Sequence, residues 1–126
     1  MPMESLNISN DNDLISEVKI SNDVVATIAA LAATEVEGID SLSGNATNDS
    51  VKKYGIRNGS KGVEVSFNND GKSISCKLGV TMKFGYSIPE TCEAVQDKVK
   101  NTIESMIGME VSDVSINIAD VNVNKN

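Results

Sequence analysis

The sequence predicts an α+β domain, a two-layer sandwich with two helices on one face of an antiparallel sheet, and three observations carry that reading. Residues 63–84 alternate polar and apolar with a period of two, interrupted by Asn69-Asp70-Gly71, as a hairpin with one dry and one wet face should. Residues 88–107 repeat their apolar side chains at helical spacing instead. Residues 24–36 are also helix-like, but apolar almost all the way round. In chain order the elements read β-α-β-β-α-β, the ferredoxin-like split βαβ arrangement. Its strand order follows only from the preference for short, right-handed connections.

Residues 1–13 are polar and rich in Asn, Asp and Ser, which predicts a mobile tail. A single domain is expected over 14–123, with a short tail at 124–126. Glu17-Val18-Lys19-Ile20 alternates as a half-buried first strand, and Ser21 is placed to cap the first helix. At about 100° per residue, Val24, Val25, Ile28, Leu31, Ala32 and Val36 fill one broad arc, expected to be core. Ala26, Ala30 and Ala33 line the opposite side. That stripe is either a helix-packing interface or alanine serving as the best helix former. Glu35 falls on the apolar arc and is expected to reach solvent from the helix end, and Gly38 is expected to terminate the helix.

Residues 40–62 are rich in Ser, Asn, Gly and Lys, and compact domains rarely leave so long a stretch without structure. A short helix over 49–54, stopped by Gly55, would divide it, with Val51 and Tyr54 as anchors. In the hairpin, Val63, Val65 and Phe67 share the dry face with Ile74, Cys76, Leu78, Val80, Met82 and Phe84. Glu64, Ser66, Ser75, Lys77, Thr81 and Lys83 share the wet one. Ser87-Ile88-Pro89-Glu90 is a capping-box pattern with proline in the first turn, opening a helix that runs to Ile107 before Gly108. Its apolar stripe is Ile88, Cys92, Val95, Val99, Ile103 and Met106, with Glu93, Asp97, Lys100, Asn101 and Glu104 outside. Glu110-Val111 and residues 114–118 give a closing strand that frays through Val121 and Val123.

No residue announces a reaction. The chain has no histidine, so Ser-His-Asp and Cys-His nucleophilic systems and imidazole metal sites are excluded. Its two cysteines, Cys76 and Cys92, are too few for a thiolate zinc site and too far apart for a redox CxxC. Both fall on apolar faces and read as core thiols in a reducing compartment. Carboxylate pairs such as Glu35/Glu37 and Glu90/Glu93 read as solvated helix ends. No catalytic residue, cofactor or metal is expected.

The net charge of −7, from 18 acidic and 11 basic residues, disfavours sequence-independent binding to nucleic acid. Lys52, Lys53, Arg57 and Lys61 make the middle locally basic, either as a solvated loop or as a patch for anions or a membrane surface. Gly59-Ser60-Lys61-Gly62 matches the GxxG of KH-type RNA-binding domains, but it precedes a strand and reads as a turn. The wet face, with Lys19, Lys77, Thr81 and Lys83, is either a solvent face or a dock for an acidic partner. Residues 1–14 lack the basic and apolar regions of a secretory signal, and no stretch is long enough to span a bilayer. The expected location is cytoplasmic, without direct membrane insertion.

Several blocks carry a family resemblance. Residues 20–33, then Glu35-Val36-Glu37-Gly38-Ile39, resemble the opening of the alkaline shock protein family. Lys61-Gly62-Val63-Glu64-Val65 resembles its middle strand, and residues 84–90, 95–100 and 108–116 resemble its closing blocks, in the family's order. The sequence departs at Asn22-Asp23, where proline-glutamate is usual, and at Phe84, where tyrosine is usual. The resemblance implies a non-enzymatic bacterial protein of stress response and cell-envelope homeostasis. It also implies homo-oligomerisation and docking to a membrane-anchored protein partner at the inner face of the cell membrane. No catalytic residues carry over. The rival expectation is a small-ligand or nucleic-acid binding domain using the basic loop 52–61 and the wet face.

Overall fold

The computed structural model describes residues 20–123. Each helix begins where a side chain caps it, because the first amides of a helix have no partner within it. Ser21 accepts the Val24 amide to open α1 (Asn22–Thr34). Thr47 and Ser50 bond reciprocally to open α2 (Asn48–Tyr54). Ser87 accepts the Glu90 amide to open α3 (Ile88–Ile107), which Gly108 ends in the left-handed conformation.

Four strands form one sheet: β1 (Ile39–Leu42), β2 (Val63–Phe67), β3 (Ser73–Lys83) and β4 (Glu110–Asn122). β2 pairs antiparallel with residues 74–78 of β3, and β1 antiparallel with residues 80–82. The two short strands thus lie end to end along one side of β3. β4 takes the other side along its full length, and runs parallel to it.

Helices α1 and α3 pack on each other and cover the sheet, α1 over β1 and β2 and α3 over β4. Beneath them Ile74, Cys76, Leu78, Val80 and Met82 of β3 are buried, while Glu64, Ser66, Lys77 and Lys83 are exposed. The two-layer α+β class and the single dry face are as the alternation predicts.

Four features differ from the sequence expectation. β4 is parallel to β3 rather than antiparallel, because α3 is a crossover that returns the chain to the same end of the sheet before it pairs. β1 is an added strand: its four residues, at the start of the Ser-rich stretch, show no alternation to read. α1 stops at Thr34, whose hydroxyl donates to the Ala30 carbonyl at 2.7 Å. Gly38 therefore does not cap it; there φ is +101°, and a β-carbon would stand 3.0 Å from the Tyr86 ring. Finally, Phe67, Phe84, Ile88 and Met106 end their apolar stripes exposed, beyond the reach of the opposing layer. The expected tails and residues 17–19 of the expected first strand lie outside the described residues; Ile20 is half-buried against the core.

The inward face of α1 is the larger correction. Ala26, Ala30 and Ala33, read as a possible interface, are each 0 % exposed. They sit in the core with Val25, Ala29 and Ala32, small enough for the helix backbone to come close to its neighbours. The bulky arc is split instead, with Val25 and Ala32 buried and the rest of it toward the surface. Val24 is 49 % exposed, and Ile28 and Leu31 are only partly buried.

Candidate functional site

Beyond Asp23 in its first turn, the outward face of α1 carries Val24, Ile28 and Leu31 rather than charges, and the chain between α2 and β2 folds up beside it. Specific hydrogen bonds hold that segment. The Thr27 hydroxyl accepts the Ile56 amide at 3.1 Å and donates to the Ile56 carbonyl at 3.2 Å. Asp23 Oδ1 accepts the Asn58 amide at 2.8 Å. Asn48 Nδ2 reaches the Thr34 hydroxyl at 2.9 Å, tying α2 to the far end of α1.

Asn58 also fixes the segment to the sheet. Its Oδ1 accepts the Val65 amide at 2.6 Å, and Asn22 Nδ2 donates to the Val65 carbonyl at 3.4 Å. Both groups lie on the edge of β2 that no described strand pairs, so two asparagine side chains close an edge that would otherwise invite another strand. Gly62 makes the neighbouring approach possible. With φ at +99°, it lies where a β-carbon would sit 2.8 Å from Leu42 Cβ and from the Ser43 carbonyl oxygen.

Between α1 and this segment lies a groove of about 600 Å³. Val24, Ile28, Tyr54 and Ile56 supply apolar surface, with Asp23, Thr27 and Arg57 as polar members. Tyr54 is 82 % exposed, so it is no anchor for α2; Val51 alone fills that role, buried. An apolar concavity with a few polar groups is the usual form of a binding site.

The basic residues singled out from the sequence do not converge. Lys52 and Lys53 stand exposed in the last turn of α2, where cations meet the helix's negative end. Arg57 lines the groove, whereas Lys61 joins Lys77, Gly62 and Gly79 around a separate hollow of about 400 Å³ on the wet side. Gly59 and Gly62 have positive φ, in keeping with a turn. Glu35 reaches solvent and pairs with Lys98 at 3.5 Å.

Neither cysteine is poised to react. Burial, with the negative charge of Asp113 behind it, pushes the Cys76 thiol up to about 11, and burial also raises Cys92. Among the described residues no three His, Cys, Asp or Glu side chains gather as a metal site. No helix there is long and apolar enough to cross a membrane. Sequence reasoning missed Val24, Tyr54 and Ile56 as surface residues. The groove joins positions about thirty apart through the Thr27 and Asp23 bonds, and no local pattern signals such a meeting.

The comparisons agree with the fold-wide resemblance. The chain is 31% identical over 116 residues to the uncharacterized protein YqhY of Bacillus subtilis (strain 168), covering 92% of this chain and 84% of that protein. It is 33% identical over 109 residues to the uncharacterized protein YloU of the same organism, covering 85% and 89%. No solved structure gives a match. The alkaline shock protein (Asp23) family, whose name does not refer to residue 23 of this chain, matches residues 10–123. A histidine-free two-layer domain, its family blocks in order and matched almost end to end, belongs to the alkaline shock protein family, which has a cell envelope-related function.

Proposed function

We propose that this chain is a non-enzymatic protein of stress response and envelope homeostasis, acting through self-association and docking to a membrane-anchored partner. On this reading it is cytoplasmic and held at the inner face of the membrane by that partner. The supporting observation is the groove beside α1, where bulky apolar side chains face outward on a framework of hydrogen bonds. Burying such residues contributes roughly 1.5–3 kcal/mol each on association, and an aromatic residue beside an arginine is the composition of an interface hot spot. The rival reading, an anion or nucleic-acid site on the basic loop, has less support because its cations are spread over separate surfaces.

The test is a double substitution, Val24→Asp with Tyr54→Ser. Both side chains are exposed, so circular dichroism and thermal unfolding should change little. Light scattering should show weaker assembly, and capture of a partner from a detergent-solubilised membrane fraction should fall at least about tenfold, equivalent to 1.4 kcal/mol. Unchanged assembly and unchanged capture would remove the groove from the function.

A further inference from the structure

We propose that the outer edge of β4 is where two copies of this chain pair, antiparallel and about a two-fold axis at Ile116, joining their sheets into one. The inference deepens the self-association reading and rests on it. The groove beside α1 is left for the membrane-anchored partner and for growth beyond the pair.

Three observations carry it. The first is how open the edge is. β4 is 13 residues long and pairs with β3 on one side, and among the described residues no strand pairs with the other. Such an edge is a template for another strand, and proteins commonly blunt it with lysine, proline or a covering segment. β4 contains neither lysine nor proline. Side chains of α3 reach only its first part: Glu104 Oε2 accepts the Val111 amide at 3.0 Å, and Gln96 Nε2 donates to the Val114 carbonyl at 3.1 Å. A carbonyl has two lone pairs, so that of Val114 can also accept from a second strand. The edge of β2, by contrast, is closed by Asn22 and Asn58.

The second observation is an apolar row left partly uncovered. Val114, Ile116 and Ile118 stand opposite Cys76, Leu78 and Val80 of β3. Those three are buried, whereas the β4 residues are only partly so. A neighbouring strand with the same alternation would cover them.

The third is self-complementarity, which selects a second copy as the occupant. Register shifts against β3 at Ser112 and Ala119 leave residues 113–118 as a regular stretch between them. Antiparallel pairing centred on Ile116 sets Val114 opposite Ile118, Ser115 opposite Asn117 and Asp113 opposite Ala119. Apolar residues then face apolar ones and no carboxylate faces another, as a stable ladder requires. Centring on Asn117 instead sets Asp120 opposite Val114, and centring on Ser115 sets Glu110 opposite Asp120. In a chain of net charge −7, residues 114–119 carry no charge, so repulsion between copies is least there. The two-fold makes the contact isologous, so it closes at a pair.

Sedimentation and hydrogen exchange on the full chain test this. The parent should sediment as a dimer that dissociates on dilution, and the amides of residues 114–118 should gain protection as protein concentration rises. Ser115 and Asn117 are both exposed, and they face each other across the pair. Ser115→Lys with Asn117→Lys sets lysine against lysine twice and should raise the dimer Kd at least about tenfold. Ser115→Lys with Asn117→Glu sets lysine against glutamate in the same register and should return the Kd to the parent's or below. Circular dichroism should be the same for both variants.

A parent that is monomeric at every concentration would overturn this proposal and the self-association reading together. A dimer indifferent to the lysine pair would overturn the edge alone, and loss of that dimer with Val24→Asp and Tyr54→Ser would give self-association to the groove. Equal weakening by both Ser115/Asn117 variants would overturn the two-fold at Ile116. Protection of residues 114–118 that appears only on adding a detergent-solubilised membrane fraction would also overturn the proposal, by giving the edge to a strand of the partner.

Discussion

Helices α1 and α3 cover the same sheet in opposite ways. α3 turns Val95, Val99 and Ile103 inward and its charged residues outward, as an amphipathic surface helix does. α1 turns alanines inward and leaves Val24, Ile28 and Leu31 at the surface. In α3 one stripe serves the core and the rest serves solubility. In α1 the core takes mainly alanines with Val25, and Val24, Ile28 and Leu31 remain at or near the surface, on the face that the docking proposal uses. A helix whose only charge is Asp23 in its first turn does not say by its periodicity which face is inside.

Substitutions can break this comparison. Ile103→Ala should cost about 2–5 kcal/mol in urea unfolding, because a fully buried side chain is replaced by a cavity. Ala30→Leu should cost about 1–3 kcal/mol by overpacking the contact beneath α1; a neutral or stabilising effect would return the alanine stripe to the surface. Val24→Ser should stay within about 0.5 kcal/mol of the parent, as expected of an exposed position, and a larger loss would make the outward face structural.

Thiol labelling sharpens the same contrast. Cys76 is buried in β3 under both helices and its thiol is raised to about 11, whereas Cys92 on α3 is only half-buried. A maleimide should label Cys92 in the folded protein and Cys76 only on unfolding. Equal rates would mean that the helical layer opens readily.

The smallest effect is expected at the hairpin tip, away from both helices. The Lys72 amide, aided by Ser73, holds the Asp70 carboxyl below its ordinary value of 3.8, against a desolvation effect that raises it. A carboxyl lowered in the folded state contributes stability that is fully present above pH 3.8 and lost as pH falls through the lower folded value. Asp70→Asn should lower neutral-pH stability slightly and converge with the parent in acid; divergence in acid would contradict this sign.

The legible parts of the fold were those specified locally. The alternation of residues 63–67 and 74–83 gave the hairpin, and Ser87, Pro89 and Gly108 marked both ends of α3. β1 escaped because Ile39 and Leu42 are its only apolar residues. The direction of β4 escaped because its partner lies across a twenty-residue helix. The groove was least legible, since its geometry depends on Thr27 meeting Ile56 and Asp23 meeting Asn58. Neither pair shows any pattern along the chain.

Asn58 has a consequence for the kinetics of recognition. Its amide is held by Asp23 and its side chain by Val65, so one wall of the groove is fastened to a helix at one point and to a strand at another. If the groove takes a partner as proposed, that partner meets a surface that needs no folding of its own, and the ordering cost falls mainly on the side chains of Tyr54 and Arg57. Association on that reading is a meeting of preformed surfaces. The lifetime of the complex, rather than a slow rearrangement of the wall, then sets its strength.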